Sequence, residues 1–215
     1  MLLNKKYKIT PQEYLIAERL SESKNEYFNG EIFAMAGASM EHNQISSNIV
    51  RVLGNQLVES QCTVLANDMK IKIEAIEKYT YPDIVVVCGN GEFEQDKENS
   101  DDKAINDEYE RKNDILLNPI VIMEILSAST EGYDRGDKFS HYQFIDSFIE
   151  YILISQYVCR VEKFIRQKDK TWIYSTYSNL EDTVKIESIN CDLPVAEIYR
   201  KVNLKPFVLR QVKNI

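Results

Sequence analysis

The segments YPDIVVVC (81–88) and NPIVIMEIL (118–126) constrain this chain more than any other feature. Successive side chains of a strand point to opposite faces, so a strand that is apolar at consecutive positions must be covered on both sides. Each segment has the length of one strand, and together they call for a sheet with helices on both faces, an α/β architecture. Each also carries one acid: Asp83 at the head of the first and Glu124 near the end of the second. A buried carboxylate is unfavourable by several kcal/mol unless it is paired, protonated or bound to a cation.

The flanking sequence supplies the covering elements. Thr10-Pro11-Gln12-Glu13 has a capping-box pattern with proline just inside, which predicts a helix to about Leu20. Asn29-Gly30, between Tyr27-Phe28 and Ile32-Phe33, predicts a hairpin. Ile45, Ile49, Val52, Leu53 and Leu57 form one stripe of a second helix. TVLANDMKIKIE (63–74) alternates as one strand, with Leu65, Met69, Ile71 and Ile73 on one face and Asp68, Lys70 and Lys72 on the other. A third helix is expected from about Asp134 to Ser147, carrying Phe139, Tyr142 and Ile145. EYILIS, VCRVEKFIR, TWIYSTY and TVKIES predict a β-meander, and LPVAEIYRK a short C-terminal helix. With no internal repeat or linker, residues 1–215 are expected to form a single domain. Its core would be a mixed central β-sheet flanked by helices, with an N-terminal hairpin and a C-terminal meander.

Composition narrows the function classes. The net charge is −8, but ten acidic and four basic residues crowd the stretch 89–118, expected to be a polar insertion loop, and the remainder is close to neutral. Overall acidity therefore says little about the face that meets a substrate. The longest apolar run, Ile84 to Cys88, is far too short for a bilayer, and MLLNKKYKITPQ lacks a signal-peptide pattern. Cys62, Cys88, Cys159 and Cys191 form no CxxC pair; free thiols of a cytoplasmic protein are expected, not a zinc site or a disulfide framework. The seven glycines form neither GxGxxG nor a P-loop, which removes support for oxidoreductase or kinase readings.

Asp83 shares a face with Val85 and Val87, and Glu124 with Ile120, Ile122 and Leu126. Glu41 stands four residues before Ile45, and Lys138 four before Tyr142, so each heads an apolar stripe and is expected to project toward the sheet. Singly, each has an ordinary structural explanation: a Pro-Asp turn, a solvated strand end, an acid in a helix's first turn, a lysine with a solvated head. Jointly, Asp83, Glu124 and Glu41 form a carboxylate cluster that a cation would neutralise. Mg²⁺ and Mn²⁺ suit oxygen donors, and a nearby lysine could orient water or stabilise charge on a phosphorane, the parts of metal-assisted phosphodiester hydrolysis.

The ordered motifs AGAS-x-EH, YPD, E-[IV]-LS-x-ST and YDRG-x-KF-x-x-Y, with the ANDMKIKI strand, run through most of the chain. They resemble the Uma-type restriction endonuclease family, part of the restriction-endonuclease-like PD-(D/E)XK superfamily. The resemblance implies a restriction-endonuclease-like core and a Mg²⁺- or Mn²⁺-dependent endonuclease acting on DNA, with no membrane partner; many enzymes of this fold act as homodimers. By this resemblance Asp83 is the acid of the PD half, Glu124 that of the (D/E)XK half, and Glu41 the acid of the first core helix. All three would be metal ligands. The family's lysine belongs two residues after the second acid, where this chain has Leu126. Lys138 is the natural replacement, with Lys70 or Lys72 as alternatives; His42 and Asp68 also fall in matched stretches, as accessory residues without an assigned role.

A second reading is a catalytically inactive nuclease-fold module that binds nucleic acid or a protein partner. The loss of lysine at Leu126 motivates it, as does the lack of a dense basic, aromatic-interleaved patch.

Overall fold

Thr10 caps α1 (Pro11–Leu20) with a reciprocal hydrogen-bond pair to Glu13, as the capping box predicts. This computed structural model describes residues 8–95 and 113–204. A turn with positive φ at Asn29 and Gly30 joins β1 (Asn25–Phe28) to β2 (Glu31–Ala34). Next come α2 (Met40–Gln56), β3 (Cys62–Ala66), β4 (Lys70–Ile73), β5 (Lys78–Thr80) and β6 (Ile84–Cys88). Beyond residue 112 lie β7 (Ile115–Leu116), β8 (Val121–Leu126) and α3 (residues 131–142), whose turn Asp134–Lys138 is π-wound. The chain continues through β9 (Glu150–Ser155), β10 (Val161–Arg166), β11 (Trp172–Tyr177), β12 (Thr183–Ile186), β13 (Cys191–Pro194) and the short helix Val195–Ile198.

The two segments apolar on both faces become β6 and β8, antiparallel neighbours inside a six-stranded sheet of order β11-β10-β9-β8-β6-β3. β8 runs parallel to β9, and the meander β9-β10-β11 completes the sheet. One face buries Ile84, Val86, Val121, Met123 and Ile125 with α2, the β12–β13 pair and the C-terminal helix. The other buries Val85, Val87, Ile122 and Leu126 with α3 and part of a second sheet. That second sheet has five strands in the order β2-β1-β5-β4-β7. Ile71, Ile73 and Leu116 turn toward the six-stranded sheet, while Tyr27, Tyr79 and Ile115 pack on Tyr14 and Leu15 of α1.

Four expectations need correction. TVLANDMKIKIE is two strands in different sheets: the chain leaves the six-stranded sheet after Ala66, passes Asn67 at φ 59°, and enters the five-stranded sheet at Lys70. Asparagine tolerates that left-handed conformation, and the alternation of apolar residues continues across the break, so periodicity conceals it. The stretch 89–118 is not loop throughout, because β7 pairs with β4 and Phe93 bridges to Leu116; residues 96–112 lie outside the described residues. The third helix ends at Tyr142 rather than Ser147. Cys62 and Cys88, register partners on β3 and β6, are joined as a disulfide, which leaves Cys159 and Cys191 as free thiols. No helix among the described residues is long and apolar enough to cross a membrane.

Candidate active site

Asp83 leads into β6 and Glu124 lies on β8, with Ile84 opposite Met123 in the register. Both acids fall on the face covered by α3, and the Asp83 backbone N–H points at Glu124 Oε2, 3.3 Å away. Asp83 Oδ2 accepts the Ile125 N–H at 2.7 Å and lies 3.1 Å from His42 Nε2. Glu124 is only 2% exposed, whereas the Asp83 side chain is 20% exposed, so the pair opens at Asp83. From α3, one turn apart, the Tyr142 hydroxyl donates to Glu124 Oε1 at 2.7 Å and Lys138 Nζ stands 2.9 Å from the same oxygen.

A second layer of polar groups surrounds Lys138. Its Nζ lies 3.6 Å from Asp134 Oδ1 and 3.6 Å from Glu26 Oε1. Glu26 comes from β1, and accepts hydrogen bonds from the Thr80 hydroxyl and, at 3.2 Å, from the Tyr133 hydroxyl. Lys78 of β5 contacts that Tyr133 hydroxyl and lies 3.1 Å from His141 Nδ1. Of these site residues, Glu26 and Lys78 lie outside the sequence motifs, whereas Tyr133 and Asp134 stand in the YDRG motif but were not singled out from it. Glu26 precedes the buried Tyr27 in a strand, so it reads as the solvent side of a half-covered hairpin. The visible signal was at Asp134, which is spaced four residues from Lys138 on one helix face.

Burial pushes the Glu124 carboxyl up to about 8; the Asp134 and Asp83 charges add to it, and Lys138 and the Tyr142 hydrogen bond oppose it. Burial likewise raises Asp134, with Asp83 and Glu26 adding. Burial pulls the Lys138 ammonium down, but Glu124, Glu26 and Asp134 outweigh it and hold Lys138 well above the usual lysine range. For Lys78 burial prevails, reinforced by Lys138, and lowers it to about 8. The cluster thus has more carboxylate than ammonium, an arrangement that a further cation would stabilise. Among the described residues Asp83 Oδ1 has no hydrogen-bond partner, and Glu124 Oε2 accepts only the long contact from Asp83. Two adjacent carboxylates with unused oxygen lone pairs fit Mg²⁺ or Mn²⁺, which keep several waters when bound.

Glu41 stands in the first turn of α2, next to His42. Its carboxylate makes no hydrogen bond or ion pair with a described residue, and no three His, Cys, Asp or Glu side chains among the described residues are grouped to hold a metal. The α2 stripe covers the opposite face of the sheet, and His42 reaches round to Asp83 from the first turn of that helix. His42 Nδ1 is buried with no hydrogen-bond partner among the described residues. Lys70 and Lys72 point away from Glu124. The alternation of β4 sends Ile71 and Ile73 toward the six-stranded sheet, so Lys70 lies over the Tyr14 and Tyr81 rings and Lys72 pairs with Glu94. Asp68 is a surface residue paired with Lys24 at 2.8 Å.

Residues 11–196 match the family described as Uma2, putative restriction endonuclease. The chain belongs to the Uma2 family. Two uncharacterized proteins of Synechocystis sp. are similar to it. One, slr1290, is 32% identical over 194 residues, spanning 90% of this chain and 92% of that protein. The other, sll1609, is 32% identical over 165 residues, spanning 77% and 85%. The crystal structure of a putative nuclease belonging to DUF820 from Anabaena variabilis ATCC 29413 shares the fold. Its TM-score is 0.68 at 18% identity, over 89% of this chain and 97% of that one. The Uma2 chain thus has the mixed α/β, restriction-endonuclease-like architecture that its motifs implied.

Proposed function

We propose that this Uma2 protein is a Mg²⁺- or Mn²⁺-dependent endonuclease that hydrolyses DNA phosphodiester bonds. The observation that carries this reading is Lys138 Nζ, 2.9 Å from Glu124 on β8, the strand paired with the one that Asp83 leads into. Lys138, reaching Glu124 from α3, would take the place of the lysine absent at Leu126. Asp83 and Glu124 would hold the metal, which when bound polarises a phosphate oxygen and acidifies a water. Asp83 is oriented by the Ile125 N–H and His42, and Glu124 by Tyr142. Lys138, buried among three carboxylates, is suited to remain an ammonium and to stabilise negative charge developing on the transferred phosphoryl group. The test is cleavage of plasmid and single-stranded DNA with Mn²⁺, with Mg²⁺ and without metal. Activity that needs no metal, or that persists unchanged in Asp83→Asn or Glu124→Gln, rejects the assignment.

One observation favours the non-catalytic reading: Glu124 is already partnered by Lys138 and Tyr142. That module would bind DNA with strong salt dependence and show no metal-dependent turnover in the same assay.

A further inference from the structure

We propose that Glu26 is a positioning residue of this site, through which β1 of the five-stranded sheet holds the Lys138 ammonium against Glu124. Its effect on rate rests on the nuclease reading above; the hold on Lys138 does not. Glu26 is buried in a four-residue strand, an unfavourable place for a carboxylate unless its oxygens are fully engaged. Its partners are Thr80 and Lys138 at Oε1 and Tyr133 at Oε2. Burial alone would raise the carboxyl, but Lys138 and Lys78, with the hydrogen bonds from Thr80 and Tyr133, hold it below the usual glutamate range.

The three carboxylates around Lys138 differ in what they can fix. Asp134 rides on the same helix and moves with the lysine. Glu124 would be shared with a metal. Glu26 is anchored to a different sheet and is itself held by two hydroxyl donors. A lysine on a flexible four-carbon stem needs such an external fixture, because a displacement of about 1 Å in a catalytic group can lower a rate about 10²-fold.

Glu26→Gln preserves the shape and an acceptor while removing the charge. In the full-length protein, the ¹⁵N-detected lysine ammonium spectrum reads the hold directly. A slowly exchanging resonance that disappears in Lys138→Met identifies Lys138, and it is expected to broaden beyond detection in Glu26→Gln. Mn²⁺-dependent plasmid cleavage should lose about tenfold to 10²-fold in kcat, with KM for DNA and the half-saturating Mn²⁺ concentration within about twofold of wild type. A purely structural role would not split kcat from KM in this way. An ammonium signal unchanged in Glu26→Gln, or an unchanged kcat in an active protein, overturns the proposal. If wild-type protein does not cleave at all, the nuclease reading fails and the ammonium signal alone decides the role of Glu26. If Glu26→Gln does not fold, Tyr133→Phe removes one anchor of the carboxylate and is read by the same two measurements.

Discussion

Glu124 and Glu150 lie on neighbouring parallel strands, β8 and β9, each buried and each with its carboxyl raised first by burial. They face opposite sides of the sheet. Glu150 Oε1 accepts the Ser188 N–H at 2.6 Å, and its Oε2 lies 4.0 Å from Lys163. That lysine is otherwise engaged by the Lys185 carbonyl at 2.8 Å and Glu187 at 2.5 Å. Glu124 is held by side chains of α3 and stands beside a second, partly exposed acid, Asp83. A buried glutamate is therefore no signal of a site by itself. The difference lies in convergence of side chains from several elements, a surplus of carboxylates, and an opening toward solvent.

The sharpest way to break this comparison is to neutralise each acid. Asp83→Asn or Glu124→Gln should lower Mn²⁺-dependent cleavage by about 10³-fold or more. Glu150→Gln should leave kcat within about twofold and change only the unfolding midpoint. Comparable losses of activity at the two glutamates would remove the distinction.

How far the sequence reaches follows from the same comparison. Strands β6 and β8 were legible because apolar residues at consecutive positions leave few alternatives to a sheet covered on both faces. Lys138 was legible because helical spacing ties it to Tyr142, and both meet Glu124. Periodicity reports that a stripe is buried but not which face of the sheet it covers. For that reason Lys70 and Lys72, on an alternating strand, lie on the face of β4 opposite to Ile71 and Ile73, away from Glu124. Glu26 was invisible because its environment arises only when α3 docks across the second sheet. The Cys62–Cys88 pairing depends on a strand register between residues 26 apart, which spacing does not encode.

Removing the cations comes next in size. Lys138→Met leaves Glu124, Glu26 and Asp134 without their shared ammonium, which should destabilise the fold by about 3–5 kcal/mol in urea denaturation at neutral pH. Cleavage should fall by about 10²-fold. Lys163→Met, which removes the hydrogen bonds to the Lys185 carbonyl and the half-exposed Glu187 and leaves Glu150 its Ser188 N–H, should lower stability by about 1–2 kcal/mol and leave cleavage unchanged. A Lys163 variant as inactive as the Lys138 variant would show that both polar clusters serve the reaction.

The pH dependence of stability sharpens the role of Lys78. It faces Glu26, Glu124, Lys138 and Asp137, touches His141, and titrates at about 8 in the fold against 10.5 when unfolded. Between these values the unfolded chain binds the extra proton, so this lysine makes stability rise as pH increases from 8 toward 10.5. The expected gain is on the order of 1–3 kcal/mol and should be absent in Lys78→Met, measured by urea denaturation across that range. An identical slope in the variant would mean that Lys78 does not carry it.

The smallest expected effect is at Tyr142, and it probes how each glutamate is held. Glu150 leans on a backbone N–H that no side-chain substitution removes, whereas Glu124 leans on a hydroxyl that Tyr142→Phe deletes. The ring of Tyr142 is packed edge-on against Phe148 and Tyr151, at 5.9 and 5.7 Å between centroids, so phenylalanine should occupy the same place. What is lost is one hydrogen bond to a carboxylate that still has Lys138, about 1 kcal/mol in stability and less than about tenfold in cleavage rate. A loss as large as that of Lys138→Met would instead make the tyrosine hydroxyl, rather than the ammonium, the group that keeps Glu124 in its working orientation.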